Sequence, residues 1–239
     1  MIFEILRSPF MKEKKVFYSE LAYIAALLIL PLGIVLMEKA DLGISMVAAP
    51  PYLLFLKLHE TYPLFSFGFS DYFVQFLILL LLIVILRKIR LHFFFSFVTA
   101  FLYGTVLDFY MLLLSFETPA SFLLRLLLFA GGLYVSAFGI AFFFKTYIAP
   151  DIHALFIKEV SEKWNRSFAF CKTIYDCTCC LIAIAMSFIF FGFGVFEAIK
   201  WGTVVCALVN GKNIGFFCDL IDKHFEFSPR FPTFQKYFN

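Results

Sequence analysis

The chain has 239 residues, of which 62% are hydrophobic and 15% charged, and its formal net charge is +3. Soluble domains are about 45 to 50% apolar and about 25% charged, so this composition excludes an ordinary soluble domain and predicts an all-α membrane protein. At about 20 residues a span, the length leaves room for roughly six transmembrane helices and no separate soluble domain, and the small net charge does not suggest nucleic-acid binding.

The N-terminal region predicts a retained first span. Residues 1–16 carry four cations and precede an apolar run of about 20 residues, which is too long for the apolar core of a secretory signal. No small-residue cleavage site follows, so we expect a span over 17–37, with Pro31 and Gly33 kinking its outer end. The four cations are Arg7, Lys12, Lys14 and Lys15.

The rest of the first half predicts one short segment and two spans. Residues 44–58 are apolar but too short to cross a bilayer comfortably, and Pro50 and Pro51 interrupt them, which indicates a half-helix or interfacial segment. The second and third spans are predicted over 71–86 and 92–116.

The second half follows the same order. A fourth span is predicted over 123–144, a second short segment over 152–160, and further spans over 168–191 and 195–220. The tail, 223–239, is polar and aromatic. We expect the whole of 1–239 to form a single membrane domain.

The placement of Lys and Arg predicts the orientation. Short cytoplasmic loops collect these residues. With the N-terminus inside, the inner loops hold most of them, whereas the outer loops hold only Lys39 and Lys57. We therefore predict that both termini are cytoplasmic.

Two stretches of the chain echo each other. Residues 33–45 and 139–151 each close an apolar run with a Gly, then a Lys, then a carboxylate or Ser, and a shift of 106 residues pairs Lys39 with Lys145. A shift of 107 pairs Gly104 with Gly211. Three crossings form each unit, and since three is odd, the second unit enters the membrane from the opposite side. The echo predicts two inverted three-helix repeats, about 17–116 and 121–222, an architecture that transporters favour.

Two motifs resemble those of a known family. Residues 39–45 read Lys-Ala-Asp-Leu-Gly-Ile-Ser, and residues 202–211 read Gly-Thr-Val-Val-Cys-Ala-Leu-Val-Asn-Gly. Both resemble the YczE and YitT group of bacterial integral membrane proteins, in which a Pro-x-Asp element typically follows the first motif. Here only the second half supplies a related piece, Pro150-Asp151. The resemblance implies a multi-pass protein of the bacterial inner membrane, with a transporter as one role, and no settled substrate.

Three charged residues lie near the predicted helix ends. Lys39, Asp41 and Lys145 are either interfacial anchors whose side chains reach water or the lining of a polar pathway. In the second interpretation the two short segments fold back as gates, with Asp41 and Asp151 preceding their N-termini. These carboxylates would cap the helices themselves, so a cation or zwitterion suits the pathway at least as well as an anion.

Three more charges lie within apolar sequence, where each costs about 2.5 to 3.5 kcal/mol on insertion scales. Asp176 and Lys212 are at similar predicted depth, and we expect them to pair, either as a structural clasp or as a proton-coupled switch. Asp108 lies nearer the outer end of its span, as a helix-end carboxylate would.

The cysteine and histidine patterns favour packing over chemistry. Cys177, Cys179 and Cys180 do not share one helix face, and no clustered His completes a zinc set. Motifs of hydrolases and of nucleotide binding are also missing from the sequence. We expect no metal, no cofactor and no catalytic residues.

The leading hypothesis is a small secondary transporter or permease for a small solute or ion, with the lipid bilayer as its surroundings and a homo-oligomer compatible with it. The alternative is a non-transporting membrane partner or a substrate-binding subunit of a larger complex. The candidate pathway residues are Lys39, Asp41, Asp108, Lys145, Asp151, Asp176 and Lys212.

Overall fold

The computed structural model describes residues 15–235, except for the side chains at 168–169 and 233–234. These residues form long helices joined by short loops, with one small two-stranded ribbon. The elements in chain order are β1 (Lys15–Tyr18), α1 (Ser19–Ala40), α2 (Ala49–Leu58), α3 (Phe67–Leu86), α4 (Leu91–Leu113), α5 (Phe122–Phe143), α6 (Ile152–Lys163), α7 (Phe168–Phe191), α8 (Trp201–His224), β2 (Phe225–Ser228) and α9 (Pro232–Gln235).

Six of the described helices are long and apolar enough to cross a membrane: α1, α3, α4, α5, α7 and α8. A bilayer core about 30 Å thick requires about 20 residues of helix, which each of these supplies. The predicted all-α fold with six spans is therefore confirmed, and the two short segments form α2 and α6. Of the cations assigned to the inner side, Arg7, Lys12, Lys14 and Lys236 lie outside the described residues.

Two helix boundaries differ from the predicted ones for local reasons. Helix α3 begins at Phe67 because Ser66 caps it, accepting a hydrogen bond from the Phe69 amide at 3.1 Å. Helix α8 begins at Trp201, six residues later than predicted. The segment before it is turned by residues of positive φ, and the Ser187 hydroxyl donates to the Val195 carbonyl at 2.7 Å.

The ribbon places both ends of the described chain on one face. Strands β1 and β2 pair in parallel, with Lys15 opposite Phe225 and Tyr18 opposite Ser228. We call this side the terminal face and the other side the opposite face. Ends on the same side require an even number of crossings, as six spans provide.

Helices α1 and α5 form the antiparallel centre of the bundle. Small residues let their backbones touch: a Cβ on Gly33 would lie 2.4 Å from the Ser136 amide nitrogen, and one on Gly139 would lie 2.7 Å from the Leu30 amide nitrogen. Such close approach is how helices associate in lipid, where burial of apolar surface gives little driving force.

The remaining helices are arranged in matching pairs about this centre. Helix α4 packs on α1 as α8 packs on α5, and both short helices pack against α3 and α7. Each short helix therefore contacts a span of the other half, which interleaves the two predicted repeats. Corresponding helices do not share one shift: α5 begins 103 residues after α1, α7 begins 101 after α3, and α8 begins 110 after α4.

Both short helices dip into the bundle. Helix α6 is held at the terminal face by Arg90, which binds Glu159 at 3.0 Å, while the amide of Ile152 donates to Gln75 Oε1 at 3.0 Å. Gln75 lies eight residues after the start of α3 at the opposite face, or about 12 Å along the helix at 1.5 Å a residue. The N-terminus of α6, which contacts Gln75, therefore lies near mid-depth. Helix α2 enters from the opposite face, where Lys57 donates to the Phe190 carbonyl.

Candidate functional site

A buried polar site lies where the N-terminus of α6 meets α3. Asp71 is 4% exposed and Gln75 is fully buried. The Gln75 side-chain amide donates to Asp71 Oδ2 at 2.7 Å, and its carbonyl oxygen accepts from the Ile152 amide at 3.0 Å. One glutamine thus connects a buried carboxylate of the first half to a helix N-terminus of the second.

A second carboxylate stands at this N-terminus. Asp151 caps α6, its Oδ1 accepting from the Ala154 amide at 3.1 Å. It lies close enough to interact electrostatically with Asp71 and with the buried Tyr103. The partial positive charge of a helix N-terminus stabilises nearby carboxylates, so the short helix favours negative charge at this depth.

Helix α4 adds hydroxyl groups to the same region. The Thr99 hydroxyl donates to the Ala149 carbonyl at 2.9 Å and lies 2.9 Å from the Tyr23 hydroxyl. Ser70 of α3 and Ser96 of α4 are also fully buried, and neither hydroxyl oxygen has a hydrogen-bond partner among the described residues. Buried polar groups are almost always paired, so these two hydroxyls are exceptions.

His153 borders the site on the side of α7. Its Nδ1 shares a hydrogen bond with the Tyr175 hydroxyl, and its Nε2 is buried without a partner among the described residues. Asp151, Lys172 and Asp176 lie near enough to this ring to interact with it electrostatically.

The corresponding end of α2 is apolar. Pro50 and Pro51 supply no amide hydrogen, and the neighbouring amides of Ala49 and Tyr52 donate within the segment to the carbonyls of Ser45 and Ala48. Of the two short helices in the described residues, α6 has a polar N-terminus and α2 an apolar one, so the two halves are unequal at their centre.

A charged cluster at the opposite face fixes the end of α1. Asp41 ends the helix at φ 51°, and its carboxylate pairs with Arg125 at 3.0 Å and with Lys200. Arg125 also donates to the Ala40 carbonyl at 2.8 Å and to the Asp41 carbonyl at 2.6 Å. Lys39 pairs with Glu38, which also accepts from the Tyr52 hydroxyl.

The two motifs that carried the family resemblance contact each other. The Gly202 amide donates to the Leu42 carbonyl at 2.9 Å. Gly43 adopts φ +109°, and a Cβ there would lie 2.7 Å from the Thr203 hydroxyl oxygen. The Lys-Ala-Asp-Leu-Gly segment therefore docks on the Gly-Thr start of α8, and this largely buried contact joins α1 to α8 near the opposite face.

The other predicted residues are dispersed. Asp108 binds the N-terminus of α3 at the opposite face, and Lys145 pairs with Asp222 at 2.7 Å at the terminal face. Of the seven candidates, only Asp151 lies in the mid-depth site. Asp41 does not cap α2: it ends α1, eight residues before α2 begins.

The expected pairing of Asp176 with Lys212 is not present. Asp176 pairs instead with Lys172, one turn earlier on α7, at 3.1 Å. Lys212 is exposed on α8 and has no ion pair within residues 15–235. The six cysteines are free, and the described residues contain no group of three or more His, Cys, Asp or Glu placed to hold a metal ion.

The sequence interpretation did not select Asp71, Arg125 or Lys200. Asp71 marked the expected start of a span, but the Ser66 cap starts α3 four residues earlier and places this carboxylate inside the bundle. Its spacing of four residues from Gln75 was the available signal, since residues at i and i+4 share a helix face.

Comparison with protein families gives a match over most of the chain. The model of a family of unknown function, DUF6198, matches residues 17–219, which is most of the chain. The chain belongs to the DUF6198 family. Neither the curated proteins nor the solved structures contain a match to this DUF6198 member.

Proposed function

We propose that this chain is a small secondary transporter or permease of the bacterial inner membrane, and that Asp71 and Asp151 bind its substrate or coupling ion. The proposal rests mainly on the buried Asp71 carboxylate. Gln75 connects this carboxylate to the N-terminus of α6, which lies near mid-depth. Ionisable residues at this depth are expensive and usually mark ion or solute pathways, and broken or short helices meeting at the midplane are typical of transporter binding sites.

The chemistry of the site favours a cation or a zwitterion. The site holds two carboxylates, Asp71 and Asp151, and the described residues place no cationic side chain in a hydrogen bond or ion pair with either. Asp151 and Gln75 already occupy the first amides of α6, which leaves little positive potential for a free anion. A protonated amine, an amino acid or a small metal cation would balance the two carboxylates.

Transport by purified protein in liposomes tests the proposal. The panel comprises amino acids, primary amines and monovalent cations, each with and without a pH gradient. For a solute that wild type moves, Asp71→Asn is expected to reduce uptake about ten- to a hundredfold, because a hydrogen bond to a charged group contributes about 1.5 to 3 kcal/mol. Glu60→Gln, which changes an exposed carboxylate in the loop before α3, is expected to leave uptake unchanged.

Folding is checked separately by monodispersity, and Asp71→Glu, which retains the carboxylate, should restore part of the uptake. Absence of transport for the whole panel would overturn the proposal. So would equal uptake by wild type and a folded Asp71→Asn variant.

A second candidate function is that of a non-transporting membrane partner or a substrate-binding subunit of a larger complex. The exposed face of α8 favours it, since Gly211 and Gly215 are open and Lys212 lies exposed between them. Affinity purification from native membranes separates the two: a stoichiometric second protein supports the partner role, and a lone chain supports the transporter.

A further inference from the structure

The seam between α3 and α4 is closed at the opposite face by a specific set of contacts. A Cβ on Gly68 would lie 1.9 Å from the Gly104 carbonyl oxygen, so the two backbones touch. The Asp108 carboxylate accepts from the Gly68 amide at 2.6 Å and from the Ser66 hydroxyl. Asp108 therefore ties the end of α4 to the N-terminus of α3.

The second half repeats the residues that make this closure. Helix α3 opens with Ser66-Phe-Gly-Phe69, and α7 opens with Ser167-Phe-Ala-Phe170. Both serines cap their helices, Ser167 accepting from the Phe170 amide at 3.3 Å. The Gly104-x-x-x-Asp108 spacing of α4 recurs in α8 as Gly215-x-x-x-Asp219, at a shift of 111 residues that agrees with the 110 residues between the helix starts better than the shift of 107 that pairs Gly104 with Gly211. Because the repeats are inverted, Ser167 and Asp219 both lie toward the terminal face.

The contacts themselves are missing from the second half. A Cβ on Gly211 or Gly215 would meet no other atom within 4 Å among the described residues, so α7 does not lie against this face of α8. Asp219 is exposed and makes no hydrogen bond or ion pair in the described part of the chain. The seam between α7 and α8 is thus open where its counterpart is closed.

We propose that α7 and α8 close on each other as α3 and α4 do, with the Asp219 carboxylate accepting from the Ser167 hydroxyl and the Ala169 amide. Closure of one seam and opening of the other would expose the mid-depth site to one face at a time. This part rests on the proposed transport function, since inverted repeats that exchange conformations are the usual basis of alternating access. The seam closure itself is a property of the fold.

Cysteine crosslinking tests the closure. In a variant whose six native cysteines are replaced by alanine, the pair Ser167→Cys and Asp219→Cys is oxidised in proteoliposomes without added solute. Disulfides form only when the two Cα atoms come within about 7 Å, so a closed seam is expected to give an intramolecular bond. Ser66→Cys with Asp108→Cys is the closed-seam control.

A mismatched pair sets the background. Lys212 lies seven residues, or about 10 Å along the helix, from Asp219, so Ser167→Cys with Lys212→Cys is expected to crosslink at least about tenfold more slowly, in line with its lower effective concentration. The proposal is overturned if the test pair forms no bond above this background while the control pair does. It is also overturned if the only product joins two chains, because the open face would then be an interface between copies.

The readout separates this inference from the proposed function. A crosslink in a protein that moves no solute contradicts the transporter and leaves the closure standing. Uptake that depends on Asp71, without a crosslink, contradicts the closure alone.

Discussion

At the scale of single residues, the Gln75 side chain joins α3 to α6 by hydrogen bonds. Its amide group donates to Asp71 and accepts from Ile152, so it uses both ends to join two spatially distinct elements. The side chain is fully buried, and buried polar groups are almost always paired. Removing it would leave an amide hydrogen and a carboxylate oxygen unpaired.

Gln75→Leu is therefore expected to destabilise the protein. Each buried group left without a partner costs about 1 to 3 kcal/mol in soluble proteins, and hydrogen bonds within membranes average about 0.6 kcal/mol, so we expect a loss of about 1 to 3 kcal/mol. The free energy of unfolding in mixed micelles measures it. Thr105→Val removes a hydroxyl that only binds Phe101 within α4, and should change it by less than about 0.5 kcal/mol. Equal effects of the two variants would show that the bridge is not important for stability.

At the scale of elements, glycine contacts set how closely helices approach. Gly68 and Gly104 bring α3 and α4 into backbone contact, whereas Gly131 of α5 faces open space among the described residues. The same residue type therefore has opposite significance at the two positions, and sequence alone does not distinguish them.

Gly68→Ala is expected to separate α3 from α4. The added methyl group would overlap the Gly104 carbonyl and displace the Asp108 contact, and overpacking typically costs about 1 to 3 kcal/mol. Gly131→Ala is the matched control and should stabilise the protein by up to about 1 kcal/mol through helix propensity. Unfolding in mixed micelles compares them, and a neutral Gly68→Ala would contradict the close contact seen here.

The helical elements were largely predictable from the sequence. The length of an apolar run and its lack of charged residues determine whether a segment can span the membrane. The short α2 and α6 were predictable for the same reason. What pattern cannot supply is contact between distant elements: Arg125 and Lys200 approach Asp41 only after α1, α5 and α8 assemble. The expected pairing of Asp176 with Lys212 failed because similar predicted depth does not bring two helices together.

At the scale of the whole molecule, the ribbon and the six spans determine where each loop lies. Positions 62 and 226 are on opposite sides, since the first follows α2 at the opposite face and the second lies in β2. Cations are distributed unequally between these faces, which predicts that the terminal face is cytoplasmic.

Labelling of single cysteines in a background without native cysteines tests this orientation. A membrane-impermeant maleimide is expected to label Tyr62→Cys in intact spheroplasts and Glu226→Cys only in inverted vesicles, because both side chains are exposed on their own faces. The reverse pattern would contradict the predicted orientation, and labelling of both from one side would contradict the six-span arrangement.

The mid-depth site was less predictable than the fold because it depends on both halves at once. Asp151 was predicted from its position before a short helix. Asp71 becomes part of the site only when α6 of the second half packs on α3 of the first. No local pattern in residues 66–75 indicates that the N-terminus of a helix 77 residues further along the chain will contact Gln75.

The parallel ribbon also constrains how the molecule is made. Strand β1 precedes all six spans and β2 follows them, so the two cannot pair until every span between them has been synthesised. The Glu20 carboxylate likewise gains its hydrogen bonds from the amides of Arg230 and Phe231, at 3.0 Å, only after those residues have been synthesised. Ribbon formation would therefore mark completed assembly, and a chain truncated before β2 would leave the N-terminal strand with an unpaired edge, the kind of surface that promotes aggregation.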